Sequence, residues 1–286
     1  MNILKEYYQL TKPGIIYGNA ITVIAGFLLA SRGHVDWWLL FEALLGISLV
    51  MASGCVMNNY FDRDIDAKME RTKNRALVRG SITPAHALVF GKILAILGVS
   101  TLYFFTNLLT VAAAVLGLFV YVIVYTKWLK RTSTFGTLVG SVSGAVPIVV
   151  GYLTVTNSID ITAIILFIIL ALWQMPHSFA IAIYRLEDYR TAGIQVLPVR
   201  KGTHITKIQT VIYVALFILA TFALAVFGHV GYVYFFMMTF VGFAWAALAA
   251  KGFWIKPAND RVWARNMFTF SIVILVVFCV LIAARA

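Results

Sequence analysis

Nine long apolar runs constrain this chain more than any other feature of its sequence. Each has close to the length of about 20 residues that an α-helix needs to cross a hydrocarbon layer of about 30 Å. Since 62% of the 286 residues are hydrophobic and only 12% are charged, a water-soluble domain is excluded. The sequence predicts an all-α polytopic membrane protein, with one domain over residues 1–286. Its nine transmembrane helices are expected near residues 14–32, 38–58, 87–106, 108–126, 136–156, 161–183, 209–228, 230–249 and 267–284.

The distribution of Lys and Arg predicts the orientation. With the N-terminus inside, 20 of the 23 Lys and Arg residues fall in cytoplasmic segments, and the exceptions are Arg32, Lys92 and Arg285. This is the positive-inside bias, and it predicts an N-in, C-out topology. The net charge of +12 then reflects topology and an anion site, so no nucleic-acid partner is expected.

The first eight residues bear on the location. Met-Asn-Ile-Leu-Lys-Glu-Tyr-Tyr has neither a cleavable signal pattern nor an Arg-rich transit peptide. We therefore expect a multi-pass protein of a bacterial plasma (inner) membrane, surrounded by the lipid bilayer.

Two long inside loops, residues 59–86 and 184–208, carry most of the candidate chemistry. Each follows an even-numbered span and begins with acidic residues. Long loops in an otherwise minimal membrane protein tend to carry function. Similar loops that enter from the same side predict two parallel halves around a shared central cavity.

Asn58, Asp62 and Asp66 follow one another at four-residue spacing after the second apolar run. On an α-helix this spacing places them on one face, over about 12 Å of the axis. Carboxylates at this spacing repel one another unless a cation lies between them. The pattern predicts oxygen ligands for Mg²⁺ bridging the phosphates of a substrate; the alternative is a solvated loop.

Cationic residues follow the acidic motif and also the fourth apolar run. Arg71 and Lys73 come after the acidic motif, and Lys130 and Arg131 come after the fourth apolar run. One interpretation is a diphosphate clamp, because Arg offers a fork that suits phosphate oxygens. The alternative for the later pair is topological anchoring at the membrane boundary.

The sixth span and its end supply a third group of candidates. Asp188 lies one helical turn after Tyr184, which indicates either a second wall of the metal site or a helix-end salt-bridge cluster. His177 lies inside the span, next to the helix-kinking Pro176. An ionisable residue within a membrane span is a functional candidate, although a hydrogen-bonded packing role stays open.

The fifth span has Gly136, Gly140 and Gly144 at four-residue spacing. Small residues in this register let helices pack closely in lipid. We expect close helix packing here; the alternative is that the glycines make room for a bulky ligand.

The acidic motif matches Asn-x-x-x-Asp-x-x-x-Asp, the first motif of the UbiA superfamily of intramembrane prenyltransferases. The chain resembles that family over nearly its whole length, and within it most resembles the members that farnesylate haem. The residues that carry the resemblance are 10–16, 53–66, 69–75, 173–178, 196–199 and 260–265.

The resemblance implies a nine-helix bundle around a cavity that binds farnesyl diphosphate through Mg²⁺ and transfers the farnesyl group to a vinyl group of haem B, with addition of water. The metal ligands it implies are Asn58, Asp62, Asp66 and Asp188. The catalytic residues it implies are Asp62, Asp66, His177 and Asp188. The substrate-binding residues it implies are Asn58, Arg71, Lys73, Lys130, Arg131 and Tyr184. Farnesyl diphosphate and haem B are the expected substrates, and association with a haem A synthase or with terminal oxidase assembly is a further expectation.

One departure from the family pattern concerns the second motif. Quinone-type members have more Asp there, whereas this chain has Tyr184 and Asp188, and His177 stands where those members often have an acid. A quinone-precursor prenyltransferase of the same fold stays open as an alternative. A cation-coupled transporter is a second alternative, although its acids would be expected near the midplane rather than at the boundary.

Overall fold

The computed structural model describes residues 2–227 and 230–284, so Arg285 lies outside the described residues. The helices are α1 (Ile3–Leu10), α2 (Pro13–Ser31), α3 (Trp37–Asp66), α4 (Ala76–Arg79), α5 (Pro84–Phe105), α6 (Leu108–Phe119), a π-helix (Val120–Leu129), α7 (Lys130–Thr132), α8 (Gly136–Thr156), α9 (Ile161–Tyr184), α10 (Leu186–Thr191), α11 (Leu197–Val226), α12 (Tyr232–Lys251), a 3₁₀ turn (Pro257–Asn259) and α13 (Asp260–Ala284). Within the described ranges, nine segments are long and apolar enough to cross a membrane. The predicted all-α, nine-helix, multi-pass architecture is confirmed.

Four spans extend well beyond the apolar runs that predicted them. The second continues to Asp66 instead of residue 58, and the fourth to Thr132 instead of 126. The seventh begins at Leu197 instead of 209, and the ninth begins at Pro257 instead of 267. A hydropathy run ends where charged residues begin, whereas these extensions contain charged residues that pair inside the bundle.

Asp36 and Asp160 cap the N-termini of α3 and α9, the two helices that lead into the acidic loops. Asp36 Oδ1 accepts hydrogen bonds from the backbone N–H groups of Trp38 and Leu39, both at 3.0 Å. Asp160 Oδ1 accepts one from Ala163 at 2.9 Å. Such caps satisfy N–H groups that lack a partner in the first helical turn. They let very short loops separate consecutive spans.

Glycines set the close crossing of α2 and α8. A Cβ added to Gly26 would lie 2.1 Å from the Ile148 carbonyl oxygen, and one added to Gly151 would lie 2.0 Å from the Val23 carbonyl oxygen. Only glycine permits such approach of two helix backbones. The crossing fixes α8 against α2 and thereby one wall of the cavity.

A central cavity of about 1230 Å³ lies between α2, α3, the fourth span, α8, α9 and α13. One end of it is closed by the loops of residues 67–83 and 185–196, and we call this the charged end. Ile65, Met69, Ala192 and Ile194 form a buried cluster that joins the two loops. The predicted shared cavity between the two acidic loops is therefore present.

A buried ion pair joins α11 to α13 near the charged end. Lys207 Nζ lies 2.6 Å from Asp260 Oδ1, and their side chains are only 8% and 10% exposed. Lys207 also lies over the Trp263 ring, 5.6 Å from its centroid. Each side chain needs the opposite charge of the other to offset its burial, because neither is exposed to much solvent.

We predict that Lys207→Ala lowers the free energy of unfolding by about 3–5 kcal/mol, because it leaves the Asp260 carboxylate buried without a cation. The thermal midpoint in detergent, followed by tryptophan fluorescence, measures this. Lys207→Met combined with Asp260→Leu should recover most of the loss. A single variant that melts like the wild type would contradict the prediction.

Candidate active site

The acidic motif lies at the charged end of the cavity. Asn58, Asp62 and Asp66 are 4%, 1% and 2% exposed, and all three line the cavity from one face of α3. Asn58 Nδ2 donates hydrogen bonds to Asp62 Oδ2 at 2.8 Å and to Thr126 Oγ1 at 3.1 Å. The four-residue register thus gives the one-sided arrangement that was expected from helix geometry.

Two cations offset the repulsion between the carboxylates. Lys130 Nζ lies 2.5 Å from Asp62 Oδ2, and Arg75 Nη1 lies 2.6 Å from Asp66 Oδ2. Lys130 comes from the end of the fourth span and Arg75 from the loop after α3. Buried carboxylates stay ionised in an apolar bundle only with such partners. Of the two, Lys130 was among the predicted substrate-binding residues and Arg75 was not.

Lys12 is a third cation that the sequence interpretation missed. Its backbone is left-handed (φ 53°) at the start of α2, and its Nζ donates a hydrogen bond to Asn58 Oδ1. Burial, with a smaller contribution from the neighbouring charges of Arg75 and Lys130, lowers the pKa of Lys12 to about 8. The signal available in the sequence was a Lys directly before Pro13, at the N-terminus of a membrane helix.

The cavity as a whole attracts anions. Six cationic side chains line it, against the two carboxylates of Asp62 and Asp66, which leaves a surplus of four positive charges. The cationic residues are Lys12, Arg71, Arg75, Lys130, Arg185 and Arg265. A water-poor cleft with charges of one sign concentrates its field on a ligand of the opposite sign.

The fit to a divalent metal depends on Asp62. Its Oδ1 atom is buried and has no hydrogen-bond partner, while its Oδ2 is held by Lys130 and Asn58. An anionic oxygen in that state suits a hard cation such as Mg²⁺. Within residues 2–227 and 230–284, no three His, Cys, Asp or Glu side chains lie close enough to form a metal site by themselves. A metal here would therefore need oxygens from a bound substrate as well.

Lys73 and Arg131 are not among the residues that line the cavity, so their substrate-binding role stays a prediction. Lys73 Nζ pairs with Glu70 Oε1 at 2.6 Å at the surface. Arg131 forms two hydrogen bonds of 2.7 Å with the Asp64 carboxylate, which points away from the cavity-lining face of α3. Each of these two cations pairs with an exposed carboxylate close to it, Glu70 or Asp64. Arg131 Nη2 also lies 3.9 Å from the buried Asp62 Oδ1, so it remains close to the acidic motif.

The second predicted cluster is only partly in the cavity. Arg71 and Tyr184 line it, and so does Tyr189. Asp188 is half-buried on α10 and is not among the lining residues. Its assignment as a metal ligand stays a prediction.

The π-helix of the fourth span was not predicted and shapes the wall opposite α9. It carries Tyr121 and Tyr125 side by side on the cavity, with ring centroids 6.0 Å apart and an interplanar angle of 20°. A Cβ on Gly140 would lie 3.3 Å from the Tyr125 ring, and one on Gly144 would lie 1.9 Å from Gln174 Oε1. Gly140 and Gly144 thus make room for side chains that line the cavity. The expected close helix packing holds for Gly136, next to the Leu129 backbone, and not for these two.

An aromatic pocket lies deeper in the cavity. The His177 ring stacks on Trp173, with centroids 4.7 Å apart, and lies 5.0 Å from the Phe268 ring. His177 Nδ1 lies 2.7 Å from Ser271 Oγ, and Trp173 Nε1 donates to the Ser271 carbonyl at 2.8 Å. Ser271 on α13 therefore holds both rings of α9.

The hydrogen bonds of Ser271 define the protonation of His177. Ser271 Oγ donates to the Phe268 carbonyl at 2.6 Å, so it accepts from His177 Nδ1–H. Nε2 has no partner among the described residues. In the neutral imidazole with its proton on Nδ1, Nε2 keeps a lone pair that can bind a metal or accept a hydrogen bond.

Residues 19–283 match the model of the UbiA prenyltransferase family. The chain belongs to that family. Among curated relatives, it is 52% identical over 271 residues to the protoheme IX farnesyltransferase of Photorhabdus laumondii, covering 95% of this chain and 92% of the relative. It is 51% identical to the enzyme of the same name from Edwardsiella ictaluri, covering 95% and 91% of the two chains.

Solved structures of this family share the fold. A digeranylgeranylglyceryl phosphate synthase superposes with a TM-score of 0.81 at 20% identity, covering 99% of this chain and 98% of that one. A UbiA homologue from Archaeoglobus fulgidus, bound to DMAPP and Mg²⁺, superposes with a TM-score of 0.67 at 14% identity, covering 94% and 99%. At these identities the likeness establishes the fold alone.

Two neighbouring carboxylates allow a matched test of the acidic motif. Asp66→Asn should reduce prenyl transfer by about 100-fold or more, because it removes a buried anion from the cavity. Asp64→Asn should reduce it by less than about fivefold, because Asp64 is exposed and only pairs with Arg131. Turnover of both purified variants is the measurement. Equal losses would mean that the face of α3 does not define the site.

Asp188 and Glu187 provide a similar comparison for the second cluster. If Asp188 is a ligand, Asp188→Asn raises the Mg²⁺ concentration needed for half-maximal activity by about tenfold or more. Glu187→Gln should leave it unchanged, since the Glu187 side chain is 77% exposed and pairs with Arg190. Identical Mg²⁺ curves for the two variants would remove Asp188 from the ligand set.

Proposed function

We propose that this protein is a Mg²⁺-dependent prenyltransferase that transfers a farnesyl group from farnesyl diphosphate to a vinyl group of haem B, with addition of water, to give haem O. One observation carries the proposal: a single cavity joins a cation-rich, carboxylate-bearing end to a pocket in which Ser271 holds the His177 ring. An allylic diphosphate suits the first part and a metalloporphyrin suits the second. The 52% identity to a protoheme IX farnesyltransferase over 95% of the chain supports the same assignment.

The charged end binds the diphosphate. Mg²⁺ held by Asn58, Asp62 and Asp66 together with the diphosphate oxygens would neutralise charge on the leaving group. Lys12, Arg71, Arg75 and Lys130 reach the same region and neutralise the remaining charge. Lys12 and Lys130 now contact Asn58 and Asp62, so a bound diphosphate would draw both ammonium groups toward itself.

The middle of the cavity suits the farnesyl cation. When the allylic C–O bond breaks, its electron pair leaves with the diphosphate and positive charge develops on the farnesyl carbon. The stacked rings of Tyr121 and Tyr125 line the cavity there and present π-faces that attract a cation. Exclusion of bulk water by the apolar walls protects the cation from early capture.

The aromatic pocket positions the acceptor. The free Nε2 of His177 is suited to the haem iron, and Trp173 and Phe268 flank the imidazole. The vinyl π-electrons then form the new C–C bond, and the resulting cation next to the porphyrin is captured by water. The water loses a proton to solvent, which leaves a hydroxyl group and balances the reaction.

The surroundings follow from the charge distribution. We propose that the charged end faces the cytoplasm of a bacterium, in an N-in, C-out topology in the plasma (inner) membrane, because 20 of 23 Lys and Arg residues lie in segments on that side. Residues 1–286 would form one prenyltransferase domain. Delivery of the product to a haem A synthase or to terminal oxidase assembly is part of the same proposal.

The direct test is mass spectrometry of haems extracted from bacterial membranes that lack haem O, with and without this protein. We expect haem O to appear only with the protein, and to disappear with Asp62→Ala or with a Mg²⁺ chelator in vitro. Incubation with aromatic quinone precursors tests the rival prenyltransferase. Product formed from those acceptors and none from haem B would overturn the proposal.

Ser271 should act on the acceptor through His177. Ser271→Ala removes the group that orients the imidazole, so we expect haem B affinity to fall by about tenfold, with a changed haem absorption spectrum. The KM for farnesyl diphosphate should stay constant. Ser271→Thr keeps the hydroxyl and should restore the spectrum. An unaltered spectrum in a folded Ser271→Ala variant would contradict this role.

A further inference from the structure

Three arginines lie on the α9–α13 side of the charged end, opposite the acidic motif. The Arg185 guanidinium carbon lies 4.7 Å from the centroid of the Tyr184 ring, and that of Arg261 lies 5.3 Å from the same ring. Arg265 follows Arg261 by one helical turn and lines the cavity, as do Arg185 and Tyr184. We call Arg185, Arg261 and Arg265 the arginine cluster.

The arginine cluster, like Arg71, differs from Lys130 and Arg75 in its lack of partners. Lys130 and Arg75 are paired with the carboxylates of α3. None of the three clustered arginines forms an ion pair or a side-chain hydrogen bond with any residue in the described part of the chain. Two unneutralised guanidinium groups beside Tyr184, with that of Arg265 one helical turn further along α13, suit anions of the carboxylate or phosphate type.

The distance of the cluster from His177 is similar on both helices. On α13, Arg265 is six residues from Ser271, which holds His177, and this corresponds to about 9 Å along the axis. On α9 and its C-cap, Arg185 is eight residues from His177, or about 12 Å. This is comparable with the reach from a haem iron to its propionate carboxylates. Phe268, next to His177, lies on α13 between Ser271 and Arg265.

We propose that the arginine cluster binds the two propionate carboxylates of the haem substrate and thereby sets the orientation of the porphyrin. This inference rests on the proposed function. The propionates and the vinyl groups occupy opposite edges of the porphyrin. Anchoring the propionates at the α9–α13 wall fixes the position of the opposite porphyrin edge, which carries the vinyl groups.

Comparison of haem B with its dimethyl ester tests the assignment, because the ester lacks the two negative charges and keeps the iron and the vinyl groups. The wild-type protein should use haem B with a kcat/KM about tenfold or more above that of the ester. In Arg261→Gln combined with Arg265→Gln, that ratio should fall toward one through loss on haem B alone. The KM for farnesyl diphosphate should not change.

Two further variants complete the experiment. Arg200→Gln is the matched control, since Arg200 is an exposed cation that does not line the cavity. Arg265→Lys keeps the positive charge but lacks the two-pronged guanidinium group, so it should retain part of the preference for haem B over the ester. This variant provides a second measurement if the double variant folds poorly. Assays in phosphatidylcholine nanodiscs with and without phosphatidylglycerol separate a lipid headgroup from a propionate as the ligand.

The outcomes are distinct. A wild-type protein that uses the ester as well as haem B overturns the inference, and so does an equal loss on both substrates in the double variant. A loss that depends on phosphatidylglycerol assigns the cluster to lipid and also overturns it. Failure of the wild type to farnesylate haem B under any condition overturns the proposed function instead.

Discussion

The pairing of charges inside an apolar bundle is the constraint on which the rest of this structure depends. Asp62 and Asp66 are 1% and 2% exposed, and each is held by a cation from another segment, Lys130 and Arg75. Buried charges without such partners would cost several kcal/mol each. The extension of α3 beyond its apolar run, the position of the fourth span and the fold of the loop after α3 all serve to bring these partners together.

The paired state also explains how the site can be stable before substrate arrives and still bind it. The cations that neutralise the carboxylates are the same groups that a diphosphate needs. Asp62 Oδ1 has no hydrogen-bond partner and only Arg131 Nη2 nearby, at 3.9 Å, and Lys12 is hydrogen-bonded only to Asn58. Under the proposed function, binding of the diphosphate would exchange protein partners for phosphate oxygens instead of creating a new set of buried charges. Little reorganisation is needed, which favours catalysis.

Local periodicity predicted the parts of the site that lie within one helix. The spacing of Asn58, Asp62 and Asp66 was enough to place them on one face, and apolar run length was enough for the nine spans. Contacts between distant segments could not be predicted in this way. Lys12 meets Asn58 across 46 residues of sequence, and Arg131 turns to Asp64 because that carboxylate lies outside the lining face.

The backbone register of the fourth span was a second limit of the sequence analysis. Hydropathy does not distinguish a π-helix from an α-helix, so the π-helix that carries Tyr121 and Tyr125 was not predicted. The glycine spacing of α8 could be recognised in the sequence, but the role of the glycines depended on which side chains of neighbouring helices pack against them. Tyr125 and Gln174 occupy the space that Gly140 and Gly144 leave.

The central claim is that Mg²⁺ and the diphosphate complete one site together, because Asp62 and Asp66 are already paired with cations. Calorimetric titration of the purified protein with Mg²⁺, with and without inorganic pyrophosphate at a saturating concentration, tests this most directly, once Mg²⁺ binding to pyrophosphate itself is subtracted. We expect weak Mg²⁺ binding alone, binding tighter by about tenfold or more with pyrophosphate, and the reciprocal effect of Mg²⁺ on pyrophosphate. Equal Mg²⁺ affinity in both titrations would contradict the account.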